Sequence, residues 1–171
     1  MNDYIYYEVQ KRLRRLGSRD PFDLLDDMNV VLHKSTAYPR DGLRGYCTII
    51  NQTKYVVINW KQPREERRVV AGHEAGHLIL HRDELRVGAL RDMDVYNVTS
   101  QLERQANLFS ADFLIDDDDV LDLMHSAGAD FFRVAQELCI PAPFFAFKLY
   151  SMVSRGYNMR MPVELNSTFL K

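Results

Sequence analysis

The sequence predicts an α+β fold: a small antiparallel sheet, then a long buried helix, then a C-terminal helical region. Three observations predict it. Residues 45–60 hold two β-rich runs separated by a polar turn. Residues 63–81 form one stretch that is apolar on several sides. Apolar residues recur at helical spacing through 102–113 and again through 130–155. With 171 residues, 46% hydrophobic and 11% aromatic, the chain suits one packed domain rather than disorder. We divide it into a core over 1–115, a helical region over 116–156 packed on that core, and a tail over 157–171.

Residues 3–16 read as an amphipathic helix with Ile5, Val9, Leu13 and Leu16 on one side and Gly17 as its stop. Lys11, Arg12, Arg14 and Arg15 crowd its end, where cations suit the helix dipole and solvent; a partner-docking patch is the alternative. Asp20-Pro21 opens a second helix to about Met28, and Val30-Val31-Leu32 reads as a strand. A hairpin follows, Gly45–Asn51 and Lys54–Trp60, turning at Gln52-Thr53. Its run Tyr55-Val56-Val57-Ile58 is strongly β-forming, and one hairpin strand is expected to be an exposed edge to which an extended peptide could add.

Pro63, followed by Arg64, Glu65 and Glu66, marks the start of the long helix. Within it stands His73-Glu74-Ala75-Gly76-His77. Two histidines four residues apart lie one turn apart on one side of a helix, so their ring nitrogens can converge on one zinc ion at ~2.0–2.1 Å each. Glu74 then projects beside the metal, where its carboxylate can take a proton from water; that is the minimal equipment for hydrolysing a peptide bond. The pentapeptide alone can arise by chance, but a buried helix rarely carries His, Glu and His unless they are paired or hold a metal. Gly76 costs about 1 kcal/mol of helix propensity and suits close packing on a neighbouring element.

A catalytic zinc usually has three protein ligands and an open position. The metzincin pattern would need Gly at 80 and His at 83; the chain has Leu80 and Asp83, which leaves Asp83 a weak candidate. Residues 83–98 read as an irregular loop. The next helix spans about 100–115, with Leu102, Ala106, Phe109 and Phe113 as its apolar stripe. Glu103 borders that stripe and could reach the metal, yet Ser100-x-x-Glu103 is also a capping-box pattern, and local pattern leaves the two readings even. Asn107, one turn on, could hydrogen-bond a ligating side chain.

Taken together, His73-Glu-Ala-Gly-His-Leu-Ile-Leu-His81 and Glu103-x-x-Ala106-Asn107-x-Phe109-x-Ala111 resemble the ImmA/IrrE family of metallo-endopeptidases. The motif-bearing resemblance covers about residues 46–115, with a looser similarity of helix pattern to about 155. It implies a zincin-like, gluzincin-type metalloprotease core with a Zn2+ cofactor, ligands His73, His77 and Glu103, and Glu74 as the catalytic carboxylate. It also implies a protein substrate, a helix-turn-helix transcriptional repressor of a prophage or mobile element, with this chain on the ImmA side of the family. Two departures touch no implied ligand: Ser110 stands where alanine is usual, and Asp116–Asp119 follow Leu114-Ile115 where the family often has Leu-Leu-Met-Pro. The acidic run puts the local turn and substrate rim in question.

His81, one turn beyond His77, could contact the metal's surroundings, with a partly exposed packing role favoured; His33 and His125 read as structural. Nine tyrosines leave the oxyanion partner open. Asp116–Asp119 suit the N-terminus of a helix beginning near Val120 better than a second cation site. Asp130–Leu138 and Ala142–Arg155, joined by Cys139-Ile140-Pro141, have helix-turn-helix spacing. The second of them offers only Lys148 and Arg155 to a phosphate backbone, whereas Phe144, Phe145, Phe147, Leu149 and Tyr150 call for burial, so packing on the core is expected.

A formal net charge of −2 gives no argument for direct nucleic-acid or membrane-surface binding. Cys47 and Cys139 are not a CxxC pair, no signal peptide or ~20-residue apolar run is visible, and a cytoplasmic location is expected. The competing reading is a non-proteolytic protein-binding regulator with a metal site; an open coordination position argues against it, since structural zinc is normally closed by four protein ligands.

Overall fold

The β-branched run Val56-Val57-Ile58 lies in one of the two inner strands of a four-stranded sheet in the computed structural model, which describes residues 3–87, 90–92, 101–126 and 128–159. The elements are α1 (Asp3–Leu16), α2 (Pro21–Asp27), β1 (Val31–Ser35), β2 (Gly45–Ile50), β3 (Thr53–Asn59), α3 (Arg64–Leu80), α4 (Arg82–Val87), β4 (Leu90–Asp92), α5 (Gln101–Leu114), α6 (Asp117–His125), α7 (Phe131–Glu137) and α8 (Ala142–Ser154). The fold is α+β and zincin-like.

The sheet order is β1-β3-β2-β4. β2 and β3 form the expected hairpin with Ile50 opposite Thr53, but its turn is Asn51-Gln52, one residue earlier than the sequence suggests. Both turn residues have positive φ, 47° and 66°, which matches the twist of the flanking strands. β4 extends the antiparallel part by pairing with β2 at Gly45–Cys47. β1 departs from the antiparallel expectation and lies parallel to β3, Val31 opposite Tyr55 and Ser35 opposite Asn59. The link 36–44 therefore crosses the end of β3, and Asn59 fixes that crossing: its Nδ2 donates to the carbonyls of Pro39 at 2.8 Å and Leu43 at 3.1 Å.

This topology narrows the expected exposed hairpin edge to Thr48–Ile50 of β2, which no strand pairs on its outer side among the described residues. β3 is flanked on both sides, and the Gly45–Cys47 half of β2 is covered by β4. Part of the expected 83–98 loop is α4 and β4; residues 88–89 and 93–98 lie outside the described residues.

α3 begins after Pro63 as expected, with Glu65 and Glu66 in its first turn, and Val69 through Leu78 are all buried. It packs on the sheet, on α2 and most extensively on α5. One apolar cluster runs through the molecule, including Val9, Leu24, Val56, Val70, Phe109 and Phe113. α8 closes it from the other side of α5 with Phe144, Phe145, Phe147, Leu149 and Met152. The helix expected near Val120 starts three residues earlier, because Asp116 caps it by accepting from the Asp118 amide at 2.9 Å. Beyond α8, Tyr157 and Met159 pack on the core, and residues 160–171 of the expected tail lie outside the described residues. Among the described residues, no helix is long and apolar enough to cross a membrane.

Candidate metal centre

Helical spacing puts His73 and His77 on one side of α3, and both are fully buried. Their rings meet edge to face with centroids 4.6 Å apart, and the two Nε2 atoms stand 2.9 Å apart. α5 reaches them because α3 is bare at Gly76: a Cβ there would lie 3.2 Å from both Cα and O of Ala106. The close crossing brings Glu103 over the imidazoles, Oε2 3.2 Å from His73 Nε2 and Oε1 3.5 Å from His77 Nε2. Ligand atoms of all three residues fall within 4.8 Å of one another.

These distances suit a metal. Tetrahedral ligands at ~2.0–2.1 Å from an ion stand roughly 3.3–3.4 Å apart. The observed 2.9, 3.2 and 3.5 Å straddle that spacing. Two imidazoles and a carboxylate are also a donor set that suits Zn2+. The Glu103 side chain is 16% exposed and those of the histidines 0%, so the group meets solvent on the Glu103 side.

Asn107 Oδ1 lies 2.9 Å from His73 Nδ1 and can only accept, so Nδ1 donates and, in the neutral ring, Nε2 keeps its lone pair for the group. His81 is not partly exposed: it is 2% exposed at the C-terminal cap of α3, its Nδ1 is 2.9 Å from His77 Nδ1, and its Nε2 is 2.8 Å from Gln105 Oε1. Glu74 is fully buried and turns toward β2, where its Oε1 is 3.3 Å from the position a Cβ on Gly45 would take. Asp83 is exposed on α4 and outside the group, as are His33 on β1 and His125 on α6. Ser100 lies outside the described residues, and with it the capping-box reading of Glu103.

Sequence reasoning missed two residues beside this group. Gln105 sits about 200° around the helix from Glu103, so its face gave no signal. Gly45 opens strand β2, and a glycine within a strand often marks close backbone approach; that was the available clue.

A buried HExxH helix facing a glutamate from a second helix, on a small sheet, defines the zincin-like class of metallopeptidase. The chain matches the model of the M78 peptidase family, described as IrrE N-terminal-like domain, over residues 26–150, and it belongs to that family. It is also similar to the "Uncharacterized immunity region protein 2" of Bacillus phage phi105, 25% identical over 109 residues, which are 64% of this chain and 66% of that protein. The match thus spans just under two thirds of the relative's length. No solved structure matches the chain.

Proposed function

We propose that this chain is a zinc endopeptidase, with His73, His77 and Glu103 as ligands and Glu74 as general base. The carrying observation is the convergence of those three side chains from two helices, with Glu74 buried on the same turn. When bound, zinc supplies Lewis acidity to a water and to a scissile carbonyl. Glu74 accepts the proton of the water as its oxygen bonds to the carbonyl carbon, then returns that proton to the leaving amine as the C–N bond breaks. Asn107 holds neutral His73 in the tautomer that keeps the lone pair on Nε2.

The substrate is proposed from the relative, whose printed name places it in a phage immunity region. A helix-turn-helix repressor of a prophage or mobile element, met in the cytoplasm, fits that setting, as do two cysteines that are not joined in a disulfide. The catalytic part would lie in 1–115, with 116–156 packed against it.

The test incubates the zinc-loaded chain with the repressor encoded beside its gene. A discrete cut is expected, stopped by a chelator. Glu74→Gln should keep the metal and lose about 10²–10⁴-fold in rate. An intact repressor, or full activity in Glu74→Gln, would contradict the reading.

A further inference from the structure

We infer that Gln105 and His81 form a hydrogen-bond relay that fixes the tautomer of His77, which makes Gln105 a positioning residue for the metal centre. The inference rests on the metal-site reading above and adds a residue to it.

With neutral imidazoles, the relay follows from donor and acceptor roles. Gln105 Oε1, 2.8 Å from His81 Nε2, can only accept, so that nitrogen carries the hydrogen. A neutral imidazole has one N–H, so His81 Nδ1 is left with its lone pair. His81 Nδ1 stands 2.9 Å from His77 Nδ1, and two lone pairs cannot face each other there; His77 Nδ1 therefore donates. His77 Nε2 is then bare and points at the group shared with His73 and Glu103. On the other side Asn107 Oδ1 imposes the same state on His73. Two amide oxygens of α5 thus aim two bare Nε2 atoms at one place, 2.9 Å apart, an arrangement that calls for a cation between them.

The two arms differ in length. Asn107 reaches its histidine directly, whereas Gln105 acts through His81, at the end of α3. The buried His81 thereby passes an acceptor preference from Gln105 to His77.

Zinc affinity, measured by competition with a chelator, tests the relay. Gln105→Met keeps size and charge but removes the acceptor, and should weaken zinc binding about 10–100-fold. His81→Phe should weaken it at least as much. The double variant should bind no more weakly than His81→Phe alone, because the effect of Gln105 passes through His81. Nitrogen-15 spectra of the zinc-loaded wild type should show His81 protonated at Nε2 and bare at Nδ1, a readout that stands even if a variant fails to fold. Wild-type affinity in Gln105→Met, a further full loss on top of His81→Phe, or a protonated His81 Nδ1 would each overturn the relay while leaving the metal site intact. A wild type that takes up no zinc would overturn both.

Discussion

Asn107 shows how one side chain can decide which nitrogen a proposed ligand offers. Its oxygen takes the Nδ1 hydrogen of His73 at 2.9 Å, and a histidine so held offers only Nε2. Asn107→Leu should weaken zinc binding about 10–100-fold, while Asn107→Asp, which still accepts, should bind far closer to wild type; chelator competition reads both. His73, Glu74 and His77 were legible in the sequence because their relation is local to one helix. Glu103 was not settled by local pattern, since a capping box explains it equally well; only the crossing of α5 over α3 puts its carboxylate 3.2 Å from His73 Nε2. The burial of His81 was illegible for the same reason: at the end of α3 it comes from α5, which lies 24 residues away at Gln105.

The α3–α5 crossing and the sheet beneath it hold these groups in place. Gly76 permits the crossing, as its sequence context suggested. Gly45 is equally constrained: a Cβ there would lie 2.6 Å from Val70 Cγ1, 3.0 Å from the Val57 carbonyl and 3.3 Å from Glu74 Oε1. Gly45→Ala should therefore cost about 1–3 kcal/mol in urea unfolding, as overpacked sites do. Because the same Cβ crowds Glu74, cleavage should fall more than stability explains. β4 escaped the sequence reading because three residues carry too little pattern; its order comes from the ladder to Gly45–Cys47. The parallel placement of β1 was likewise set by a distant residue, Asn59, through the 36–44 crossing.

A buried ionic network joins the N-terminal helix, α5, α6 and α8. Lys148 is 1% exposed, and its Nζ donates to Asp112 at 3.1 Å and to Asp117 at 2.5 Å. Arg155 forks onto Asp117 at 2.5 and 2.8 Å, Ser151 donates to Asp112 at 2.6 Å, and Tyr6 of α1 reaches Asp117 at 3.4 Å. Arg19 adds a bond to Asp116. Lys148 and Arg155, the two cations of the helix-turn-helix-like pair, are thus engaged with interior carboxylates. Their roles were illegible because Asp112 and Asp117 are more than 30 residues away in sequence. Burial works against the Asp117 carboxylate, but hydrogen bonds from Arg155 and the charge of Lys148 outweigh it and hold its pKa well below the usual carboxylate range. A carboxyl depressed on folding stabilises fully above its unfolded pKa, ~3.9, and that contribution fades as pH falls toward the folded value. The melting temperature should drop below about pH 4, and Asp117→Asn should melt several degrees lower at pH 7, with the gap starting to narrow below about pH 4 and narrowing further toward the folded pKa; a gap that stays constant from pH 7 down to about pH 2 would mean the charge is not what stabilises.

Anomalous diffraction at the zinc edge from zinc-soaked crystals is the most direct measurement of the site itself. One strong peak is predicted, about 2.0–2.1 Å from His73 Nε2, His77 Nε2 and a Glu103 carboxylate oxygen. No peak there, or a peak with Glu103 turned away and no other protein ligand in its place, would contradict the proposal that this chain is a zinc peptidase.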